Sequence, residues 1–276
     1  MNSLLLEEIL KNALKEDIGF GDVTNEAIFA QDHRSVGVLI AKQDLILAGL
    51  DVFRHAFLLL DKRTKVISEY KDGAFIKRGQ EFAVLEGFTR VLLSAERVAL
   101  NLLQHMSGIA TQTRLFTEAA KEYKAVIVDT RKTTPGLRML EKYAVAAGGG
   151  KNHRYRLESM VMIKDNHIKA AGGILPAVRL VRDSIAPFMK IEVEVESVEQ
   201  VKEALAASVD VIMLDNMPIE LIRASVSLIN GQALVEVSGN VTLGRVAELA
   251  AAGVDIISSG ALTHSVQAAD ISLRLR

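Results

Sequence analysis

KIEVEVESVEQVKEALAASVDVIMLDNMPIELIRASVSLINGQALVEVSGNVTLGRVAELAAAGVDIISSGA, residues 190–261, is the stretch that decides the fold. Within it KIEVEVE, DVIML, ALVEV and VDIIS are short runs rich in β-branched residues, while SVEQVKEALAA and TLGRVAELAAAG repeat apolar residues at helical spacing. Toward the N-terminus, AVIVD (125–129) and MVMIK (160–164) are two further strand-like runs, and ILPAVRLVRDSI (174–185) is another helical pattern. Strands alternating with helices pair in parallel, because each helix carries the chain back to the end from which the next strand starts. The expectation is therefore an α/β barrel or an open doubly wound sheet.

Polar residues fall at a fixed place in this pattern. Asp129, Lys164, Glu194, Asp215, Ser238 and Ser259 each stand at or just inside the C-terminal end of one of the six expected strands. In a barrel those ends converge on the face where active sites are built. Any one of these residues would equally be a charged group that opens a loop. Six together point to a site.

The chain is nearly neutral, with 33 Lys plus Arg against 34 Asp plus Glu. Asp129–Ala170 departs from that balance: it holds Arg131, Lys132, Arg138, Lys142, Lys151, Arg154, Arg156, Lys164 and Lys169, nine cations, against Asp129, Glu141, Glu158 and Asp165, four anions. Arginine forks grip carboxylates with two bonds and lysine supplies a compact charge, so the mixture suits a ligand with several fixed anionic groups. Arg138, Lys142 and Lys169 are expected to belong to a solvated face. Gly148–Gly150, ahead of Asn152, His153 and Arg154, read as a loop whose backbone approaches a ligand closely. His153, like His167, would equally be a hydrogen-bonded structural histidine. Glu192, Glu194 and Glu196 alternate and so share a face; Glu194 is the central candidate, while Glu192 and Glu196 are expected to pair with Lys190 or other cations. Glu194 with Asp215 would hold Mg²⁺, directly or through water, or accept from ribose hydroxyls. Ser238–Gly239–Asn240 and Ser259–Gly260–Ala261 precede helical patterns, where backbone N–H groups at a helix start bind phosphate.

The N-terminal half reads differently. Leu6, Ile9, Leu10, Ala13 and Leu14 predict an amphipathic helix ending before Gly19 and Gly21. VGVLIA, LILAGL, KVISEY and EFAVLEG, with the helical stretch DVFRHAFLLL, make an α+β unit between about 35 and 86, and Ser94–Tyr123 predicts a long helix with a kink or break at Gly108. There is no cysteine, which removes disulfides, thiolate metal sites and a cysteine nucleophile. There is no tryptophan and only 5% aromatic residues, so neither charge nor stacking favours nucleic acid. The N-terminus has no basic region before its apolar residues, and no apolar run approaches the roughly 18 residues of a span. A cytoplasmic protein without membrane contact is expected.

DTRKTTPGLR, EKYAV, GGGKNHR, MIKDNH, EVEVES, MLDNM, EVSGN and SSGALTHS, in this order, resemble the quinolinate phosphoribosyltransferase family, and EDIGFGDVT and SAERVALNLLQHMSGIAT extend the likeness over nearly the whole chain. The resemblance implies an α/β protein with an N-terminal α/β sandwich domain (1–110, completed by 266–276) and an incomplete, open, about seven-stranded α/β barrel (111–265). Only six of the seven strands are legible. It further implies transfer of a phosphoribosyl group from phosphoribosyl pyrophosphate to quinolinate with decarboxylation, Mg²⁺ as cofactor, and a homodimer with shared active sites, alone or within a higher oligomer. Carried onto this chain, quinolinate is bound by Arg97, Thr130, Arg131, Lys132, His153, Arg154 and Lys164, with Arg97 supplied by the other subunit. Glu194 and Asp215 stand beside ribose and Mg²⁺, and the two Ser-Gly loops hold the 5′-phosphate. Lys132, Lys164, Glu194 and Asp215 are the expected catalytic set. Two other readings stay open: an aldolase with Lys164 or Lys132 as Schiff base, which borohydride trapping would reveal, and a non-catalytic ligand sensor on the same fold.

Overall fold

A computed structural model describes all 276 residues. In chain order its elements are α1 (Ser3–Ile18), α2 (Val23–Ile28), β1 (Arg34–Ala41), β2 (Leu45–Ile46), α3 (Leu50–Leu60), β3 (Lys65–Ile67), β4 (Phe75–Ile76), β5 (Glu81–Phe88), α4 (Thr89–Ala120), β6 (Val126–Val128), α5 (Arg138–Ala147), β7 (Val161–Ile163), α6 (Asp165–Ala171), α7 (Ile174–Arg182), β8 (Ile191–Val195), α8 (Val198–Ala206), β9 (Val211–Asp215), α9 (Ile219–Ile229), β10 (Leu234–Ser238), α10 (Leu243–Ala251), β11 (Ile256–Ser258), α11 (Ala261–His264) and β12 (Ile271–Leu275). They form two compact units: Met1–Arg114 with Thr133–Gly149 and Leu262–Arg276, and Leu115–Lys132 with Gly150–Ala261.

The first unit is built on an antiparallel sheet of order β12-β1-β5-β3. Phe53, Phe57, Leu39, Leu85 and Leu103 are fully buried and form part of its core. Helix α1 is started by Asn2, whose side chain accepts from the Leu4 and Leu5 amides at 3.0 and 3.3 Å, and it buries Leu6, Leu10 and Leu14, one every turn. Helix α2 was not legible in the sequence; Asp22 caps it by accepting from the Asn25 amide at 3.0 Å.

No break occurs at Gly108, since α4 runs continuously through it. The glycine serves packing instead: a Cβ there would collide with the Gln267 carbonyl oxygen and lie 3.2 Å from the Ala268 Cα. Gly108→Ala gains about 1 kcal/mol of helix propensity, whereas forcing a methyl against fixed backbone costs about 1–3 kcal/mol or more. The variant is therefore expected to melt several degrees below the wild type, and an equal or higher melting temperature would show that the 266–268 segment simply yields.

The second unit is a parallel sheet of order β6-β11-β10-β9-β8-β7. Val193, Ile212, Leu214 and Ile257 are buried along its strands, and α8 and α10 bury Val201, Ala204, Val246 and Leu249. Six strands are formed. At the place of a seventh stands a single parallel bridge, Val128 with Lys151, in which the Lys151 amide donates to Ile127 O at 2.9 Å. The barrel is left open between that bridge and β7.

Candidate active site

The six polar residues hold the expected positions: Glu194, Asp215 and Ser238 lie in the last two residues of β8, β9 and β10, and Asp129, Lys164 and Ser259 directly follow β6, β7 and β11. Asp215 is in register with Ser238, and Glu194 with Met213. Parallel pairing thus gathers them at one end of the second unit. Thr130, Arg131, Lys132, His153, Arg154, Gly239, Asn240, Gly260 and Ala261 belong to the same unit, whereas Arg97 is exposed on α4 in the first.

Not every strand-end residue is available for a ligand. Asp129 is fully buried, and its carboxylate accepts from Asn152 Nδ2 at 2.7 Å and from the His153 amide at 2.9 Å, which anchors the loop after the glycine triplet. The cations around it are more open. Lys132 is exposed, and its amide donates to Thr130 Oγ1 at 3.0 Å; Arg131 is half-buried. Arg154 donates to Met160 O at 3.0 Å, and burial first, then the Arg131 charge, hold its guanidinium below the ordinary arginine range. Two crowded guanidiniums are relieved by an anion between or beside them. Lys164 Nζ lies 2.9 Å from Glu194 Oε2, with the lysine side chain 44% exposed, so the pair can be reached by a ligand.

His167 is structural: its Nδ1 accepts from the Lys164 amide at 3.0 Å and so caps α6. His153 Nε2 faces Glu192 Oε2 at 3.1 Å and Glu236 Oε2 at 3.4 Å, and its Nδ1 accepts from the Arg154 amide at 2.8 Å. Burial disfavours the charged ring, and the Glu192 and Glu236 carboxylates taken alone would favour protonation up to about 9, but the Arg154 amide donating to Nδ1 opposes a second ring proton. Glu192 therefore meets His153, not Lys190, while Glu196 is exposed. Lys142 corrects the solvated-face expectation, being 2% exposed within α5. Arg138 is half-buried and donates to Thr133 Oγ1 at 2.9 Å, and Lys169 makes a surface pair with Asp165 at 3.4 Å.

In the loop after β10, Gly239 and Asn240 have φ of +87° and +48°. A side chain at Gly239 would collide with Asn216. Asn240 Nδ2 donates to Asn216 Oδ1, and Asn216 Nδ2 to Asp215 Oδ2, both at 2.9 Å, so a relay of amides ties Asp215 to the Ser-Gly-Asn loop. Ser259 Oγ donates to Val241 O at 3.2 Å and pins the second loop to the first. Helix α10 follows the first loop; α11 after the second is only one turn. Asn216 and Glu236 went unnoticed in the sequence. Asn216 lies inside MLDNM, and Glu236 alternates with Ser238 along ALVEVS and so faces the same way.

Glu194 and Asp215 are oxygen donors at neighbouring strand ends, the kind of set that suits Mg²⁺ with water completing its shell. One oxygen of each is already held, by Lys164 and Asn216. That favours water-mediated contact over a closed carboxylate cage.

Residues 22–107 match the family model described as quinolinate phosphoribosyl transferase, N-terminal domain, and residues 109–274 match its C-terminal domain. A Bacillus subtilis protein named probable nicotinate-nucleotide pyrophosphorylase [carboxylating] is 46% identical over 273 residues, covering 99% of this chain and 94% of that one. The chloroplastic nicotinate-nucleotide pyrophosphorylase [carboxylating] of Arabidopsis thaliana is 45% identical, covering 98% and 82%. Among solved structures, NadC from Streptococcus pyogenes superposes with a TM-score of 0.96 at 42% identity, covering 100% of this chain and 98% of that one.

Proposed function

Since this chain belongs to the quinolinate phosphoribosyltransferase family, we propose a division of labour among its residues for that family's reaction. The reaction joins quinolinate to the phosphoribosyl group of phosphoribosyl pyrophosphate and yields nicotinate mononucleotide, pyrophosphate and CO₂. The observation that carries the residue assignment is that Arg131, Lys132, Arg154, Lys164, Glu194 and Asp215 all belong to one unit, with the Arg131 charge acting on Arg154 and Lys164 2.9 Å from Glu194.

Arg131, Lys132, Arg154 and Lys164, with Thr130 and His153 among them, hold the two carboxylates of quinolinate, and Arg97 reaches the ring from a second subunit of a homodimer. Glu194 and Asp215 receive the ribose hydroxyls and, through water, Mg²⁺. When bound, Mg²⁺ neutralises the leaving pyrophosphate. The backbone N–H groups of Ser238–Asn240 and Ser259–Ala261 hold the 5′-phosphate, with α10 adding its dipole.

Chemistry then needs no protein nucleophile. As the bond from the anomeric carbon to pyrophosphate opens, positive charge grows on the ribose and the Glu194 and Asp215 carboxylates lie on its side. The pyridine nitrogen closes onto that carbon, the ring becomes cationic, and the electrons of the 2-carboxylate bond fall back into the ring as CO₂ leaves; a proton replaces it at C2. The cations keep the remaining carboxylate fixed throughout, so the protein contributes position and charge.

No helix here is long and apolar enough to cross a membrane, and we place the enzyme in the cytoplasm. Purified protein given quinolinate, phosphoribosyl pyrophosphate and Mg²⁺ is expected to release pyrophosphate and CO₂ in equal amounts, and to stop in excess chelator. Pyrophosphate without CO₂ would reject the decarboxylating reading, and full activity in chelator would reject the metal.

A further inference from the structure

His153, Glu192 and Glu236 form a buried cluster inside the second unit, contributed by the loop after Lys151, by β8 and by β10. Both glutamates are almost fully buried, at 0 and 1% exposure, and both carboxylate oxygens of Glu192 and Oε1 of Glu236 have no hydrogen-bond partner. Two carboxylates held this way are costly, and a core of this size would normally fill such positions with apolar residues. Their shared contact is one atom, His153 Nε2, at 3.1 and 3.4 Å.

The other ring nitrogen decides what that atom carries. The Arg154 amide points at Nδ1 from 2.8 Å, so Nδ1 offers a lone pair and the ring proton sits on Nε2. A doubly protonated ring, which the carboxylates alone would favour, would set an N–H against an N–H; the amide therefore prevails. The same tautomer argues against a metal, because a cation on Nε2 would require Nδ1 to keep the proton it has given up. The charged groups facing the cluster are Glu192 from β8, Glu236 from β10 and, close to Glu192, the Arg154 guanidinium; Asp129 is turned to the His153 amide.

We propose that Glu192 and Glu236 are positioning residues, which lock His153 as its Nε2–H tautomer and so aim the adjoining Arg154 at the substrate's carboxylates. Two carboxylates stand against one ring nitrogen, at 3.1 and 3.4 Å. The other ring nitrogen receives the Arg154 amide, so the backbone that carries the guanidinium is set by the ring. This rests on the assignment of Arg154 to quinolinate, but the tautomer does not.

The test pairs ¹⁵N NMR of histidine-labelled protein with kinetics, taking the His153 signals from comparison with His153→Gln. In the free wild type near neutral pH, His153 Nδ1 is expected at the position of an unprotonated, hydrogen-bonded nitrogen and Nε2 at that of a protonated one; an imidazolium or an Nδ1–H ring overturns the lock. Glu192→Gln/Glu236→Gln keeps both carbonyl acceptors and should retain the tautomer and the quinolinate KM within about twofold. Glu192→Leu/Glu236→Leu removes the acceptors and should mix the tautomers and raise the quinolinate KM about tenfold, a loss near 1.4 kcal/mol, with little change for phosphoribosyl pyrophosphate. Equal rises for both substrates, or loss in the Gln pair matching that in the Leu pair, would reduce the glutamates to a general structural role and overturn the proposal. If the Leu pair fails to fold, the wild-type tautomer and the Gln pair decide alone. An Nε2–H tautomer retained in the Leu pair, or a quinolinate KM unchanged there, would overturn the proposal.

Discussion

Lys164→Ala should lower kcat/KM for quinolinate by about 10²–10³-fold while leaving the melting temperature nearly unchanged. The loss has two parts. A charge-assisted bond to a substrate carboxylate is worth about 1.5–3 kcal/mol, and Glu194, now without the ammonium 2.9 Å away, would present an uncompensated negative charge beside an anionic substrate. About 3–4 kcal/mol in all corresponds to the stated range. Stability is spared because the lysine side chain is 44% exposed, and ion pairs so open to water contribute about 0–1 kcal/mol. Lys164→Arg should recover part of the activity, since it restores charge without the compact head. Steady-state kinetics alongside a thermal melt check this, and an Ala variant within about threefold of wild type would remove Lys164 from the site.

Quinolinate should exceed nicotinate in specificity constant by about 10²–10⁴-fold. Nicotinate lacks the 2-carboxylate, so one or two charge-assisted bonds of about 1.5–3 kcal/mol each are unmade, and crowded cations such as Arg131 and Arg154 stay unrelieved. A site whose polar groups are left unpaired rejects an analogue more strongly than an apolar pocket does. Nicotinate also has no carboxylate next to the ring nitrogen to lose, so its reaction cannot be drawn forward by departure of CO₂. Comparable constants for the two acids would mean that the cluster reads only one carboxylate.

The strands of the second unit and their polar ends were legible because two physical patterns coincide there: runs of β-branched residues and a polar residue where each run stops. The seventh strand was not, because a single bridge at Lys151 leaves no run to read. That the helix continues through Gly108 was not legible, because a glycine in a helical pattern looks the same whether it ends the helix or admits a neighbouring backbone. Lys142 looked like surface because a lysine in a helical pattern carries no local sign that it is buried. Glu192 and Glu236 had the right alternation, but their single meeting point at His153 Nε2 exists only once β8 and β10 are placed in the sheet.

The pairing of β12 with β1, from Gly37 with Leu275 to Ala41 with Ile271, bears on how the chain is made. Until residues 271–275 leave the ribosome, β1 is the outer strand of its sheet, with Val38, Leu39 and Ile40 on an open edge. At about 5–20 residues per second that edge waits roughly ten to fifty seconds for its partner. An apolar edge of this kind can pair with a strand from another nascent chain. Polysomes translating this message side by side, or a ribosome stalled before β12, are therefore where this protein is most exposed to co-aggregation.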